Sequence, residues 1–400
     1  MRRARISALA YLVGSLLSIS PTLASAADSI AINSAFSQLV ATPSLADPSV
    51  IVIDEMSGEV VFQSNASSPR KPASVIKLLS ATAAYTYLNP SDSYTTTLAA
   101  GLDGKSVVIQ GSLDPWVSYE NKVALKMKRT SLERIEFNAL STIKNLNQGS
   151  TKNSTIYFSN LYSQDVAHIS NFLRKRHLSI ALKRVTNQVA EEKSGEKLIV
   201  STSPTLEKIL DWTLTWSDNL LAERIARLAS VAAGNTLDDA GVEITFKSML
   251  TGLGIPTTHL VIKDASGLSK ENRVTAEQIA KLLFVLNHDL KYAPILNGLP
   301  VGGVSGTLQH RFIETAPTAV GLVRAKTGTL NGTTNLAGIV DSGEHQYIFV
   351  IIADRHNKSY SVTEKVRATV DRILGKVAAP LLPQLIPIIL ASETNTVSTS

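Results

Sequence analysis

Four β-branched residues in succession, Val50 to Ile53, are followed by Met56-Ser57-Gly58-Glu59 and then by Val60-Val61-Phe62. That order predicts a hairpin over 49–65, because Gly58 suits a turn and branched side chains fit a pleated surface. Pro69, Lys71 and Pro72 precede an apolar run from Val75 to Leu88. It reads as a helix, with Pro72 and Ser74 suited to its start. From about 90 to 165 the texture changes, with short β-like pieces at 94–98, 107–110 and 155–158 set among glycines and polar turns. This stretch reads as a smaller domain inserted into a larger one.

Helical spacing returns at 164–175, and 178–185 reads as a helix end or a strand. From Ser203 the pattern is firmly helical: Leu206, Ile209, Leu210 and Leu214 precede Ser217, and Leu220, Leu221, Ile225 and Leu228 follow it. Another helix is expected over 275–286, where Thr275 and Gln278 make a capping-box pair. Three strands, 323–327, 334–340 and 347–353, then lead to a closing helix over 362–373. A hairpin at one end of the chain and strands at the other imply one antiparallel sheet flanked by helices, an α/β (α+β) fold. The expected division is a main domain of 27–89 and 166–378, an inserted domain of 90–165, and a tail of 379–400. Within that tail 381–391 is apolar but broken by Pro383 and Pro387. Packing on the body is favoured over contact with a membrane or wall surface.

The first residues change the picture of where the protein works. Arg2, Arg3 and Arg5 precede an apolar stretch over 6–19, and Ala24-Ser25-Ala26 offers small residues for cleavage. Residues 1–26 therefore read as a signal peptide rather than a span. The formal charge of +6 falls to +3 without those arginines, which gives no signal for nucleic acid. An exported chain without cysteine has no disulfides, thiolate nucleophiles or Cys-ligated metal. Its seven histidines form neither an HExxH pattern nor a tight cluster. His168, His177, His310 and His356 suit surface or supporting roles better than metal ligation, so no metal or cofactor is expected.

Candidate chemistry rests on three short strings: Ser74-Val-Ile-Lys77, Ser217-Asp218-Asn219 and Lys326-Thr327-Gly328-Thr329. A serine hydroxyl needs a base, and a lysine three residues along a helix shares its face. That lysine serves if burial and nearby positive charge keep it neutral. The same spacing occurs at Ser68/Lys71, Ser141/Lys144 and Ser194/Lys197, none of which has a proline-bounded apolar helix behind it. Ser217 suits a proton relay and Asn219 suits holding Lys77 or a substrate amide; a helix N-cap is the competing role for either. Lys326 supplies charge for a substrate carboxylate, Thr327 a donor, and Gly328 room for a substrate backbone. The amides of Ser74 and Thr329 then make an oxyanion hole.

Taken together, these strings resemble the serine penicillin-recognising enzymes. Within them the chain is similar to the class C low-molecular-mass D-alanyl-D-alanine carboxypeptidase/endopeptidase family (peptidase family S13). The nucleophile motif matches Pro72-Ala73-Ser74-Val75-Ile76-Lys77-Leu78. The second matches Ser217-Asp218-Asn219-Leu220 with Ala222-Glu223, and the third Lys326-Thr327-Gly328-Thr329. The stretches 264–269 and 299–303, with Gly306-Thr307-Leu308 and Arg311-Phe312, look familial as well. The resemblance implies a serine β-lactamase/transpeptidase-like fold. It also implies peptidoglycan stem peptides as substrates and β-lactams as covalent inhibitors, at a periplasmic, wall-associated or extracellular site. Catalytic roles carry over to Ser74, Lys77, Ser217, Asn219 and Lys326, and substrate contacts to Thr327, Gly328 and Thr329. Asp114, in a stretch similar to a familial Gly-Asp-Pro-Thr, is expected to line the site and meet a cationic group. The interval between the first two motifs is shorter than in many relatives, which bears on endopeptidase action. The alternatives are a serine β-lactamase and a catalytically silent wall-binding protein.

Overall fold

The computed structural model describes residues 29–381, so the expected signal peptide and the tail beyond Leu381 lie outside the described residues. Chain order begins with α1 (Ser29–Val40), whose Ile32, Ala35, Phe36 and Leu39 form one buried stripe. The hairpin follows as β1 (Ser49–Asp54) and β2 (Val60–Ser64), with Gly58 at φ +74 in the turn. The run after Pro72 does not start as an α-helix. Ala73–Ile76 forms a 3-10 turn, and α2 (Lys77–Tyr87) continues from it. Residues 77–85 of α2 are buried all round, which its many alanines, serines and threonines permit by letting neighbours approach.

The inserted part comprises β3 (Ser93–Gly101), β4 (Ser106–Gly111), β5 (Val117–Ser118), α3 (Asn121–Met127), β6 (Thr130–Ser131), α4 (Leu132–Leu146), β7 (Thr155–Ser159), α5 (Ser163–Lys175), β8 (Ala181–Arg184), α6 (Asn187–Lys193) and β9 (Ser194–Thr205). Its five-stranded sheet runs β8-β7-β4-β3-β9, and β5 pairs separately with β6. This corrects the expected boundary at 165. β9 pairs along β3, β8 pairs parallel to β7, and Ile169, Phe172 and Leu173 of α5 fill the same small core as Leu98, Val107 and Ile109. The second sheet thus extends to Thr205, and 166–205 packs with the insertion.

The main part resumes with α7 (Leu206–Trp216), α8 (Asn219–Ala232), α9 (Asp239–Gly252), α10 (Ala276–His288) and α11 (Ala293–Asn297). Thr275 and Gln278 make the expected capping box of α10. Then come β10 (Val323–Leu330), β11 (Thr333–Ser342), β12 (His345–Ala353) and α12 (Tyr360–Val377). The main sheet is ordered β10-β11-β12-β1-β2 and every pairing is antiparallel. One of its faces packs with α2 and α10, and the other with α1 and α12. Side chains of β1 alternate between these cores, Ile51 and Ile53 into one, Val50 and Val52 into the other.

This order places β10 at an edge. Residues 300–302 cover its first half: Ala325 N–H donates to Pro300 O at 2.9 Å, and Gly302 N–H donates to Val323 O at 2.8 Å. In an antiparallel ladder, alternate residues present both backbone groups to the same side. Thr327 and Thr329 therefore present theirs on the side where Val323 and Ala325 are already paired.

Candidate active site

A 3-10 turn eclipses residues three apart, so Ser74 and Lys77 stack directly. Lys77 Nζ lies 2.8 Å from Ser74 Oγ, 2.7 Å from Asn219 Oδ1 and 2.5 Å from Ser266 O. The lysine side chain is 0% exposed. Burial lowers its pKa to about 8, against the opposing pull of the Asp264, Glu223 and Asp218 carboxylates. An amine so tuned is free to take a proton in a minority of molecules near neutral pH and in most of them above pH 8.

The turn that carries Ser74 is held from three sides. Ala73 sits at φ +45, a strained conformation for a residue with a side chain. Asn335 of β11 donates to Lys71 O at 2.9 Å and Pro72 O at 2.8 Å. Asp354 accepts from Lys71 N–H at 3.1 Å and pairs with the buried Arg70 at 3.3 Å. Gly267 closes the third side: at φ +90, a Cβ there would lie 2.0 Å from Ala73 O. Gly328 is constrained similarly, since its Cβ would lie 2.8 Å from Pro72 O. These contacts give two glycines of the expected motifs a steric reason.

Ser217 and Asn219 join α7 to α8. Ser217 is the left-handed residue ending α7, at φ 60, and Asp218 is the N-cap of α8, accepting from Leu221 N–H at 3.1 Å. The cap is thus neither Ser217 nor Asn219, which leaves both side chains for the cleft. Ser217 Oγ accepts from Lys326 Nζ at 2.9 Å, and Lys326 also donates to Thr327 O at 3.1 Å. Burial first, and then the nearby Lys77 charge, push the Lys326 amine well below its ordinary pKa. Thr327 and Thr307 hydroxyls are 2.8 Å apart.

Ser74, Ser217, Asn219, Thr327 and Thr329 line one cleft of about 800 Å³. Gly328 lies between the two threonines, and the Lys77 and Lys326 amines back the cleft through their serine contacts. Asp114 is not brought there. It is 2% exposed, accepts from Trp116 N–H and Thr130 Oγ1, each at 2.8 Å, and ties the β5–β6 loop together. Burial raises its pKa to about 6. Its expected position at the site is therefore corrected: both carboxylate oxygens are engaged inside the insertion.

Sequence reasoning missed the 264–272 loop as the support of the Lys77 amine. Glu223 accepts from Ala265 and Ser266 N–H at 3.0 and 2.8 Å, while Asp264 accepts from Gly267 and Ser269 N–H at 2.7 and 2.5 Å. These bonds aim Ser266 O at Lys77. The Asp-Ala-Ser-Gly-Leu-Ser string was visible in the sequence, but its working atom is a backbone oxygen, which no residue type announces. Among the described residues no group of His, Asp and Glu is arranged to hold a metal.

A sequence model of the D-Ala-D-Ala carboxypeptidase 3 (S13) family matches residues 32–148 and 166–377. The chain belongs to that family. It is 35% identical over 160 residues to Carboxypeptidase DacB of Mycolicibacterium smegmatis, covering 39% of this chain and 35% of that protein. It is 36% identical over 174 residues to a D-alanyl-D-alanine carboxypeptidase of an Actinomadura species, covering 42% and 32%. The matched portion thus spans about a third of either relative. The fold resembles crystalline penicillin binding protein 4 (dacB) from Haemophilus influenzae, with TM-score 0.63, 17% identity, and coverage of 84% of this chain and 98% of that one. It also resembles a predatory peptidoglycan endopeptidase from Bdellovibrio bacteriovorus, with TM-score 0.53, 16% identity, and coverage of 83% and 93%. At these identities the structural likeness concerns the fold.

Proposed function

We propose that the protein is an exported serine D-alanyl-D-alanine carboxypeptidase that also acts as an endopeptidase on cross-linked peptidoglycan stems. The observation that carries this reading is the buried Lys77 amine, 2.8 Å from Ser74 Oγ. Ser74 attacks the penultimate carbonyl while Lys77 takes its proton. The amides of Ser74 and Thr329 hold the tetrahedral oxygen. Ser217, bonded to Lys326, hands its proton to the departing amine and regains one from Lys77, and the C–N bond breaks to leave an acyl-ester on Ser74 beside a neutral Lys77. Lys77 then takes a proton from water as that water attacks the ester, and returns it to Ser74 as the peptide leaves. The substrate chain lies along the uncovered half of β10, with Gly328 leaving it room.

A β-lactam presents a strained amide beside a carboxylate and acylates the same serine. The test is labelling with a fluorescent penicillin followed by mass spectrometry. The wild-type protein should gain one penicilloyl group on Ser74, and a folded Ser74→Ala variant should gain none. Stoichiometric labelling of that variant would falsify the assignment. Incubation with a D-Ala-D-Ala stem peptide and with its cross-linked dimer then identifies the bonds cut.

A further inference from the structure

The serine acyl-transfer reading leaves one demand on the cleft unmet. A peptide ending in a free carboxylate brings a full negative charge to the leaving-group end, and a site that selects it needs an accessible positive charge. Lys326 is poorly placed for that. Its amine is enclosed, points at Ser217 Oγ and Thr327 O, and sits in a side chain with 0% exposure. Burial and the Lys77 charge also favour its neutral form. Its geometry suits a proton relay through Ser217 better than a carboxylate contact.

Past Thr329 the cleft continues between residues 307–315 and α12, and two arginines line this extension. Arg311 is already committed: it forms an ion pair with Asp371 and donates to Arg367 O at 3.4 Å. Asp371 is further held by Thr315 Oγ1 at 3.2 Å. Arg367 is different. Its Nη2 donates to Thr329 Oγ1 at 3.3 Å, its Nη1 pairs with Glu364 at 2.6 Å, and its side chain stays 32% exposed. A hydroxyl that accepts from a guanidinium keeps its own proton free to donate. Thr329 and Arg367 therefore offer two donors side by side, one neutral and one charged, at the end of β10.

We propose that Arg367 of α12 is the counter-ion for the leaving-group carboxylate, acting together with the Thr327 and Thr329 hydroxyls. The ligand class is a D-amino-acid carboxylate at the C-terminus of a peptide, or the equivalent ring carboxylate of a β-lactam. Glu364 orients the guanidinium from the solvent side and tempers its charge, so the site binds a carboxylate without holding it after the bond breaks. The inference rests on the acyl-transfer reading above and adds the group that recognises the substrate's end.

The test compares two penicillins that differ only in a free carboxylate against its methyl ester. Second-order acylation of wild type, Arg367→Gln and Arg367→Lys is followed by intact-mass spectrometry, with a thermal melt to show each variant folded. Wild type should prefer the acid strongly. Arg367→Gln should slow acid acylation about tenfold to a hundredfold and compress the acid-to-ester ratio, with the ester affected far less. Arg367→Lys should restore part of the ratio, because it keeps the charge and loses the planar fork. An acid-to-ester ratio unchanged in Arg367→Gln overturns the proposal and leaves the enzyme assignment standing. Absence of acylation of wild type by either compound overturns the acyl-transfer reading, and this one with it.

Discussion

Arg129, carried by the insertion, pairs with Asp218, the residue between Ser217 and Asn219, at 3.2 Å. Its guanidinium lies 4.2 Å from the centre of the Trp116 ring, which leans edge-on against Trp212, itself in contact with Trp216 beside Ser217. The inserted part is thereby fastened to the loop that carries Ser217 and Asn219. Asp218 both caps α8 and draws the Lys77 pKa upward.

That link has a measurable consequence. In an Arg129→Met variant Asp218 loses its partner, its field at Lys77 grows, and the Lys77 pKa rises. The alkaline-going limb of acylation rate against pH should then move to higher pH, by up to about one unit, and Arg129→Lys should return most of the shift. A limb that stays in place while the rate falls would show that Arg129 acts on loop shape alone.

Wild-type acylation should itself rise with pH through a midpoint near 8, the value to which burial brings Lys77. Stopped-flow measurement with a chromogenic cephalosporin between pH 6 and 10 gives the profile. A midpoint near 10 would mean that the amine is solvated as in a free lysine.

The same shift bears on stability. The folded protein releases the Lys77 proton near 8, while the unfolded chain holds it to about 10.5. Across that window the unfolded state binds more protons, so this lysine's contribution to stability rises with pH. Below pH 8 the full burial cost is present. Melting temperature corrected against Lys77→Met should therefore show a positive slope from pH 8 to 10 that the variant lacks.

Much of the sheet was readable because 50–53 and 347–353 are rich in β-branched and aromatic residues and 334–340 is a mainly apolar stretch between turns; all three form strands of the main sheet. The insertion was harder. β9, Ser194–Thr205, is mostly exposed or half-buried, so it lacks the apolar alternation that marks a half-buried strand. Its membership depends on pairing with β3, a relationship between distant residues that a local pattern does not carry. The site divides in the same way. Ser74, Lys77, Ser217 and Asn219 announce themselves by type and spacing. Asn335 does not, because its role comes from lying opposite Gly328 in the β10–β11 register. Asp114 misled because a familial string fixed its type while the local hydrogen bonds fixed its direction.

Asn335→Ala should cost about 1–3 kcal/mol, read by urea denaturation, because Lys71 O loses the Asn335 donor and Pro72 O keeps only Val75 N–H at 3.2 Å. Acylation should fall as well, since Ala73 loses the clamp that holds it at positive φ. Asn335→Asp cannot donate to either carbonyl and should be at least as damaging. A variant as stable and as active as wild type would show that the Ser74 turn holds its own shape.

Gly267→Ala should be the sharper test of that turn. Its Cβ would lie 2.0 Å from Ala73 O and 2.8 Å from Ser74 N. The backbone conformation alone costs on the order of 1–3 kcal/mol, and relieving the clash moves Ser74. Acylation should drop by more than a hundredfold in protein that still melts cooperatively, whereas Gly104→Ala, at φ +70 with nothing within 4 Å, should lose stability alone.

A sheet edge with free backbone groups invites a second copy of the same chain, and with it polymerisation. Here the cover over Val323 and Ala325 shortens the free stretch of β10 to a few residues at the wall of a cleft. A strand belonging to another folded molecule would bring its own sheet with it and collide with the segment 307–315 or with α12. A lone, extended peptide tail carries no such bulk. The cover that leaves Thr327 and Thr329 open beside Ser74 thus makes this edge a place for loose chain ends rather than for folded neighbours.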